Sequence, residues 1–156
     1  MKKAAKLLAL ALITNAPVLA QAQSTNQMEK IITNPWQWQD QRSYVQAVEV
    51  KNVASTLYVS GQTAISADGV SSNEDMESQL IQAIQNLEKV IGDAGFENKG
   101  IVRLNIYTTS TAELWPNFHI LQEWIAKHNI KQAVTLLEVK SLFETLKVEL
   151  EATVVK

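Results

Sequence analysis

The order of the predicted elements indicates an α+β domain whose helices pack on one face of a β-sheet. Residues 74–94 place apolar side chains three and four positions apart, which is the period of an amphipathic helix, and Gly95 ends it. Residues 146–155 alternate between apolar and polar side chains, which is the period of a half-buried strand. With the segments around them, the chain reads as two strands, a helix, a strand, a second helix and two strands.

The remaining elements follow from shorter patterns. β-rich segments predict further strands, at 44–50, 57–62, 101–109 and 133–139. An apolar stripe from Leu114 to Ile125 predicts the second helix over about residues 113–128. Asn73 is the predicted N-cap of the first helix.

The N-terminus has the pattern of a secretory signal peptide. Lys2, Lys3 and Lys6 precede an uncharged apolar run over 7–13, which is far shorter than the ~20 residues a membrane span needs. Small residues at cleavage spacing place the cut after Ala20 or Ala22. We therefore predict a signal peptide over residues 1–22 and a periplasmic or secreted mature protein with no membrane anchor after cleavage.

A polar arm follows over residues 23–43, before the folded domain at 44–156. The arm is rich in Gln, Asn and Ser and contains Trp36 and Trp38. Because two neighbouring tryptophans carry a large apolar surface, we expect them to dock on the domain.

Composition excludes several classes of function. A net charge of −2 over 156 residues leaves no basic excess for phosphate contacts, so we predict no nucleic-acid partner. The chain has no cysteine, which excludes disulfides, thiolate metal sites and cysteine nucleophiles. Its two histidines, His119 and His128, are too far apart to suggest zinc, and we predict no metal.

Four segments resemble motifs of the RidA (YjgF) family, in the family's order. They are Tyr44-Val45-Gln46-Ala47-Val48, Leu57-Tyr58-Val59-Ser60-Gly61-Gln62, the helix Gln79 to Leu87 followed by Ala94-Gly95, and Val148-Glu149-Leu150-Glu151-Ala152. Each motif alone is weak, but together they cover about residues 44–156. The chain is identified on them as a member of that family.

The resemblance implies a chorismate-mutase-like fold, with a mixed sheet and two helices on one face, assembled as a barrel-like homotrimer. It also implies small-molecule clefts between subunits, where family members hydrolyse enamines and imines without cofactor or metal. By position, Glu149 matches the glutamate that orients the attacking water, and Tyr44 matches a tyrosine that reaches into the cleft. Ser60 and Gly61 would bring backbone close to the ligand, although Gly61 could instead serve a β-bulge.

Two positions depart from the family pattern. The family's deaminating members carry an arginine that binds the substrate carboxylate, and Val134 stands at that position here. Phe118 replaces a cleft asparagine, unless a one-residue slip makes Asn117 the equivalent. Strand alternation predicts that Val134 and Glu149 point into the same cleft.

These departures leave two functions open. The first is a binding protein that holds a small molecule in the clefts, with standard 2-imino acid deamination lost or altered. The second is an enamine or imine hydrolase with changed specificity, using Glu149 and water. Arg42 or Arg103 could supply the missing positive charge, or both could be ordinary surface residues. Two further roles of the family, ribonuclease and holdase, have less support, and the acidic pI of 5.7 argues against the ribonuclease.

Overall fold

The computed structural model describes residues 27–156, so the predicted signal peptide lies outside the described residues. These described residues form six strands and three α-helices. The strands are β1 (Glu29–Thr33), β2 (Ala47–Lys51), β3 (Thr56–Thr63), β4 (Ile101–Thr108), β5 (Ala133–Glu138) and β6 (Val148–Val155). The helices are α1 (Met76–Asp93), α2 (Thr111–Leu114) and α3 (Phe118–Lys127).

The main sheet has four strands in the order β3-β6-β4-β5. β6 is antiparallel to both of its neighbours, whereas β4 and β5 run parallel. The sheet is therefore mixed, and the predicted α+β class is confirmed. β1 and β2 form a separate antiparallel pair.

The two faces of the main sheet differ in chemistry, as the alternation in β6 predicts. Its even-numbered side chains, Val148 to Val154, are buried in one core with the helices, whereas Glu149, Glu151 and Thr153 lie on the opposite face. α1 and α3 contribute their apolar stripes to that same core. The face that carries Glu149 and Glu151 is called the polar face below.

Polar residues of the helix motif have structural roles. Gln79 is fully buried; its amide donates to the carbonyl of Thr145 at 3.2 Å and accepts from the backbone N–H of Lys147 at 2.9 Å. Asn86 donates to the carbonyls of Thr63 and Ile65, both at 2.8 Å, at the end of β3. Both amides satisfy backbone groups that would otherwise be left without partners.

Several predicted boundaries were wrong. The N-cap of α1 is Asp75, which accepts from the N–H of Ser78, and not Asn73. The second helix is two helices, because Pro116 lacks an N–H and forces a 3₁₀ turn over residues 115–117. The predicted first strand begins at Ala47 and not at Tyr44, since Ser43 is left-handed with φ 58° and Val45 donates to the carbonyl of Gln132.

The arm also differs from its prediction. Its residues Glu29–Thr33 form β1, a strand that pairs with β2 and was not among the predicted elements. Trp36 and Trp38 are 58% and 52% exposed, so both rings are only partly covered. They pack on each other, and Trp38 makes an edge contact with Tyr44, with ring centroids 6.3 Å apart in each pair.

No helix within residues 27–156 combines the length and apolar character needed to cross a membrane.

Candidate functional site

A cleft of about 640 Å³ opens between α3, β5 and the segment before β2. This volume is within the range of small-molecule sites. Residues from five parts of the chain line it, among them Arg42, Tyr44, Arg103, Trp115, Phe118 and Val134. Three of the predicted site residues, Tyr44, Phe118 and Val134, therefore lie in one cleft.

The floor of the cleft is apolar. Val134 and Leu136 are partnered in the parallel ladder by Leu104 and Ile106, so they lie on the face of the sheet that packs on the core. On the wall above them, Trp115 and Phe118 pack edge to face, with ring centroids 5.1 Å apart. Such a surface favours an apolar or aromatic ligand body.

Phe118 and Asn117 occupy different surroundings. Phe118 lines the cleft and packs against the hydrophobic core. The amide of Asn117 instead donates to the backbone carbonyl of Glu113, at 3.0 Å. The wall of the cleft at this point is thus formed by Phe118.

Glu149 lies on the other side of the sheet. Its ladder partner on β4 is Tyr107. Leu104 and Ile106 of β4 face the core, so Tyr107, which follows Ile106 in the alternating strand, faces the opposite side. Within one chain, Val134 and Glu149 therefore do not point into the same cleft. The two side chains leave the sheet through opposite faces.

Ser60 and Gly61 are on the Glu149 side and are not part of the cleft wall. The register between β3 and β6 shifts between Val59 and Gln62, which places a β-bulge at these two residues. A Cβ on residue 61 would collide with the Oε1 atom of Glu149. The glycine therefore makes room for the carboxylate.

The two carboxylates of the polar face are held differently. Glu151 Oε2 accepts a hydrogen bond from the Tyr107 hydroxyl at 3.0 Å and another from the Asn105 amide at 3.2 Å. The hydrogen bond between Tyr107 and Glu151 raises the pKa of the Tyr107 hydroxyl. Within residues 27–156, the carboxylate of Glu149 accepts no such bond. Glu149 thus keeps its acceptor positions open for water or a ligand.

Two arginines border the cleft. The guanidinium of Arg103 donates to Asn105 Oδ1 at 2.9 Å and to Thr135 Oγ1, and both of these partners belong to the polar face. Arg42 lies over the ring of Trp38, with its Cζ 5.3 Å from the ring centroid. Among the described residues, neither arginine forms an ion pair with a carboxylate.

The described residues contain no group of three His, Cys, Asp or Glu side chains arranged to hold a metal ion.

Gly61→Ala is expected to displace the Glu149 carboxylate without unfolding the domain. The colliding atom is the end of a flexible side chain, so the cost should stay within the ~1–3 kcal/mol of an overpacked site. A crystal structure of the variant reports the position of Glu149, and chemical denaturation reports the stability. Gly92→Ala is the matched control, because a Cβ there meets no atom within 4 Å. Finding the Glu149 carboxylate unmoved in Gly61→Ala would contradict this role of the glycine.

Comparison with known proteins identifies the family. The sequence profile of the family Endoribonuclease L-PSP matches residues 37–156. The chain belongs to this family. It is the family of the RidA and YjgF proteins, as the four motifs indicate.

Individual relatives agree with this assignment. A RutC family protein from Aquifex aeolicus is 30% identical over 113 residues, which are 72% of this chain and 88% of the relative. The crystal structure of YyfB, a Rid-family protein of unknown function from Yersinia pestis, is 26% identical with a TM-score of 0.72, covering 81% of this chain and 98% of that one. Escherichia coli TdcF with bound serine shares the fold at 21% identity and a TM-score of 0.61, over 72% of this chain and 87% of that one. The fold is thus the chorismate-mutase-like fold of the RidA proteins.

Proposed function

We propose that this protein is an exported member of the family that binds a small molecule in clefts between the subunits of a homotrimer. In this proposal the standard deamination of 2-imino acids is lost or altered, because Val134 stands where deaminating members carry their arginine. A valine side chain offers no partner to a carboxylate. The signal-peptide pattern over residues 1–22 supports a periplasmic or secreted location.

The predicted site residues lie on opposite faces of the sheet, and this separation supports a cleft between subunits. Tyr44, Phe118 and Val134 line the cleft, whereas Glu149 and Gly61 lie on the opposite face of the same sheet. One chain cannot bring these two groups to one ligand. A neighbouring subunit whose polar face covers the cleft would do so, and a closed ring of three such heterologous contacts would complete three clefts.

A second function, hydrolysis of an imine or enamine with changed specificity, is favoured by the state of Glu149. Its carboxylate has open acceptor positions beside Gly61, while Glu151 is already hydrogen-bonded. A carboxylate in this state can orient a water and accept its proton. The serine held by TdcF supports the idea that the fold accommodates molecules of amino-acid size.

Native mass spectrometry of the mature protein tests the proposal. We expect a trimer that begins at Gln21 or Gln23 and retains a small molecule, and hydrolysis of 2-aminoacrylate close to the uncatalysed rate. A dehydratase that generates 2-aminoacrylate, coupled to detection of pyruvate, measures that rate. A monomer at micromolar concentration, or deamination as fast as that of an arginine-bearing family member, would overturn it.

A further inference from the structure

We infer that Arg42, contributed by the segment before β2, is the anion anchor of the cleft, and that the ligand is a monoanion with an apolar, ring-sized body. The inference rests on the proposed function and names its ligand class. The evidence is the composition of the cleft, the different engagement of its two arginines and the way the Arg42 segment is attached.

The cleft has a large apolar surface and a small number of cations. Val134 and Leu136 form the floor, and the edge-to-face pair of Trp115 and Phe118 forms a wall. A ring-sized apolar body fits against these groups, whereas a short imino acid would leave most of the surface uncovered. Any anion on that body needs a cation at the border of the cleft, because the floor has none.

Of the two arginines, Arg42 is the one whose guanidinium donates no hydrogen bond within residues 27–156. Arg103 donates to Asn105 and Thr135, two partners on the polar face, and these bonds hold its guanidinium toward that face. The Arg42 guanidinium lies over the ring of Trp38, with its Cζ 5.3 Å from the ring centroid, and a contact with the π-system uses none of its N–H groups as hydrogen-bond donors to an oxygen. Those groups have the fork geometry that binds a carboxylate in a bidentate manner.

The Arg42 segment is fastened to the walls of the cleft on both sides of the arginine. The side chain of Gln122 on α3 donates to the carbonyl of Gln41 at 3.1 Å, and that of Gln132 donates to the carbonyl of Ser43 at 2.9 Å. The N–H of Val45 donates to the carbonyl of Gln132 at 3.1 Å. These bonds fix the backbone of Arg42 at the cleft, so the ligand does not have to order this segment when it binds.

A matched pair of probes tests the inference by calorimetry on the mature protein. 1-Naphthylacetate carries the anion and 1-naphthylacetamide is its neutral counterpart of the same shape. We expect the wild type to bind the anion about tenfold or more tighter than the amide, the range expected for hydrogen bonds to a charged group. Arg42→Gln should reduce the affinity for the anion to that for the amide and leave the amide unchanged.

Three further variants separate the possible outcomes. Lys51→Gln changes the net charge equally, away from the cleft, and should leave both affinities unchanged; Phe118→Ala should weaken both probes. Equal affinities for the two probes in the wild type, or loss of anion preference in Arg103→Gln and not in Arg42→Gln, would overturn the Arg42 assignment while cleft binding stands. Failure of both probes to bind would overturn the ligand class, and the native mass spectrum of the copurified molecule decides the proposed function independently.

Discussion

Val134→Arg is expected to raise the hydrolysis of 2-aminoacrylate by about one to three powers of ten over the wild type. The substitution would restore the cation that binds the substrate carboxylate in deaminating family members. A charge-assisted pair of this kind in a desolvated site is worth about 2–5 kcal/mol. Val134 lies on the cleft floor, half-buried against the core, so the arginine can extend along apolar surface toward the mouth of the cleft.

Val70→Arg is the matched control for this gain. Val70 is exposed in the loop between β3 and α1 and belongs to neither the cleft nor the polar face, so the same substitution adds the same charge away from both. Phe118 lines the same cleft and takes up room that the arginine and the substrate need. Overpacking typically costs about 1–3 kcal/mol, so sedimentation checks the fold and trimer of each variant. A folded, trimeric Val134→Arg with no gain on any imino acid would mean that the cleft has diverged beyond its anion anchor.

Mixing two inactive proteins extends this prediction to the subunit arrangement. We expect Val134→Arg combined with Glu149→Ala to be inactive, and we expect the same of the wild type, because it lacks the arginine. If the cleft of one subunit uses Glu149 of its neighbour, mixed trimers from equal amounts contain about a quarter of clefts with both groups. We expect about a quarter of the Val134→Arg rate after unfolding and refolding the two together. No activity in the mixture would place both groups in one subunit's site and contradict the intersubunit cleft.

The fold was predictable because its signals are local. The alternation in β6 and the helical period of α1 each identify an element and its buried face without reference to the rest of the chain. Pro116 is the sequence signal for the break between α2 and α3. The β-branched residues Ile31, Ile32 and Thr33 were likewise a signal for β1, which the polar surroundings of the arm obscured.

The arrangement of the site was less predictable because it depends on contacts between distant segments. Alternation fixes which residues of one strand share a face, but only the ladder register relates the faces of two strands. The pairs Leu104–Val134 and Tyr107–Glu149 decide that the valine and the glutamate diverge. Arg42 reaches the cleft through bonds to residues about 80 to 90 positions away, for which the sequence carries no pattern.

Glu88→Ala is expected to lower the free energy of unfolding by about 2–4 kcal/mol, because it leaves buried donors without an acceptor. Glu88 Oε1 accepts from the indole N–H of Trp124 at 2.9 Å and from the Asn98 amide at 3.1 Å. Trp124 is only 6% exposed, so its indole N–H is shielded from bulk water and depends on the Glu88 oxygen as its acceptor. His128 Nε2 lies 2.9 Å from the same oxygen and loses a favourable neighbour as well.

Urea denaturation of Glu88→Ala, Glu88→Gln and Glu97→Ala measures this effect. Glu88→Gln keeps an acceptor oxygen and should retain more than half of the stability that the alanine loses. Glu97→Ala removes a carboxylate nearby that pairs with Lys99 on the surface, and such pairs contribute only about 0–1 kcal/mol. If Glu88→Ala lowered the free energy of unfolding no more than Glu97→Ala does, the hydrogen bonds from Trp124 and Asn98 to Glu88 would contribute no more than a surface ion pair. The connection that Glu88 makes between α1 and α3 would then not stabilise the fold.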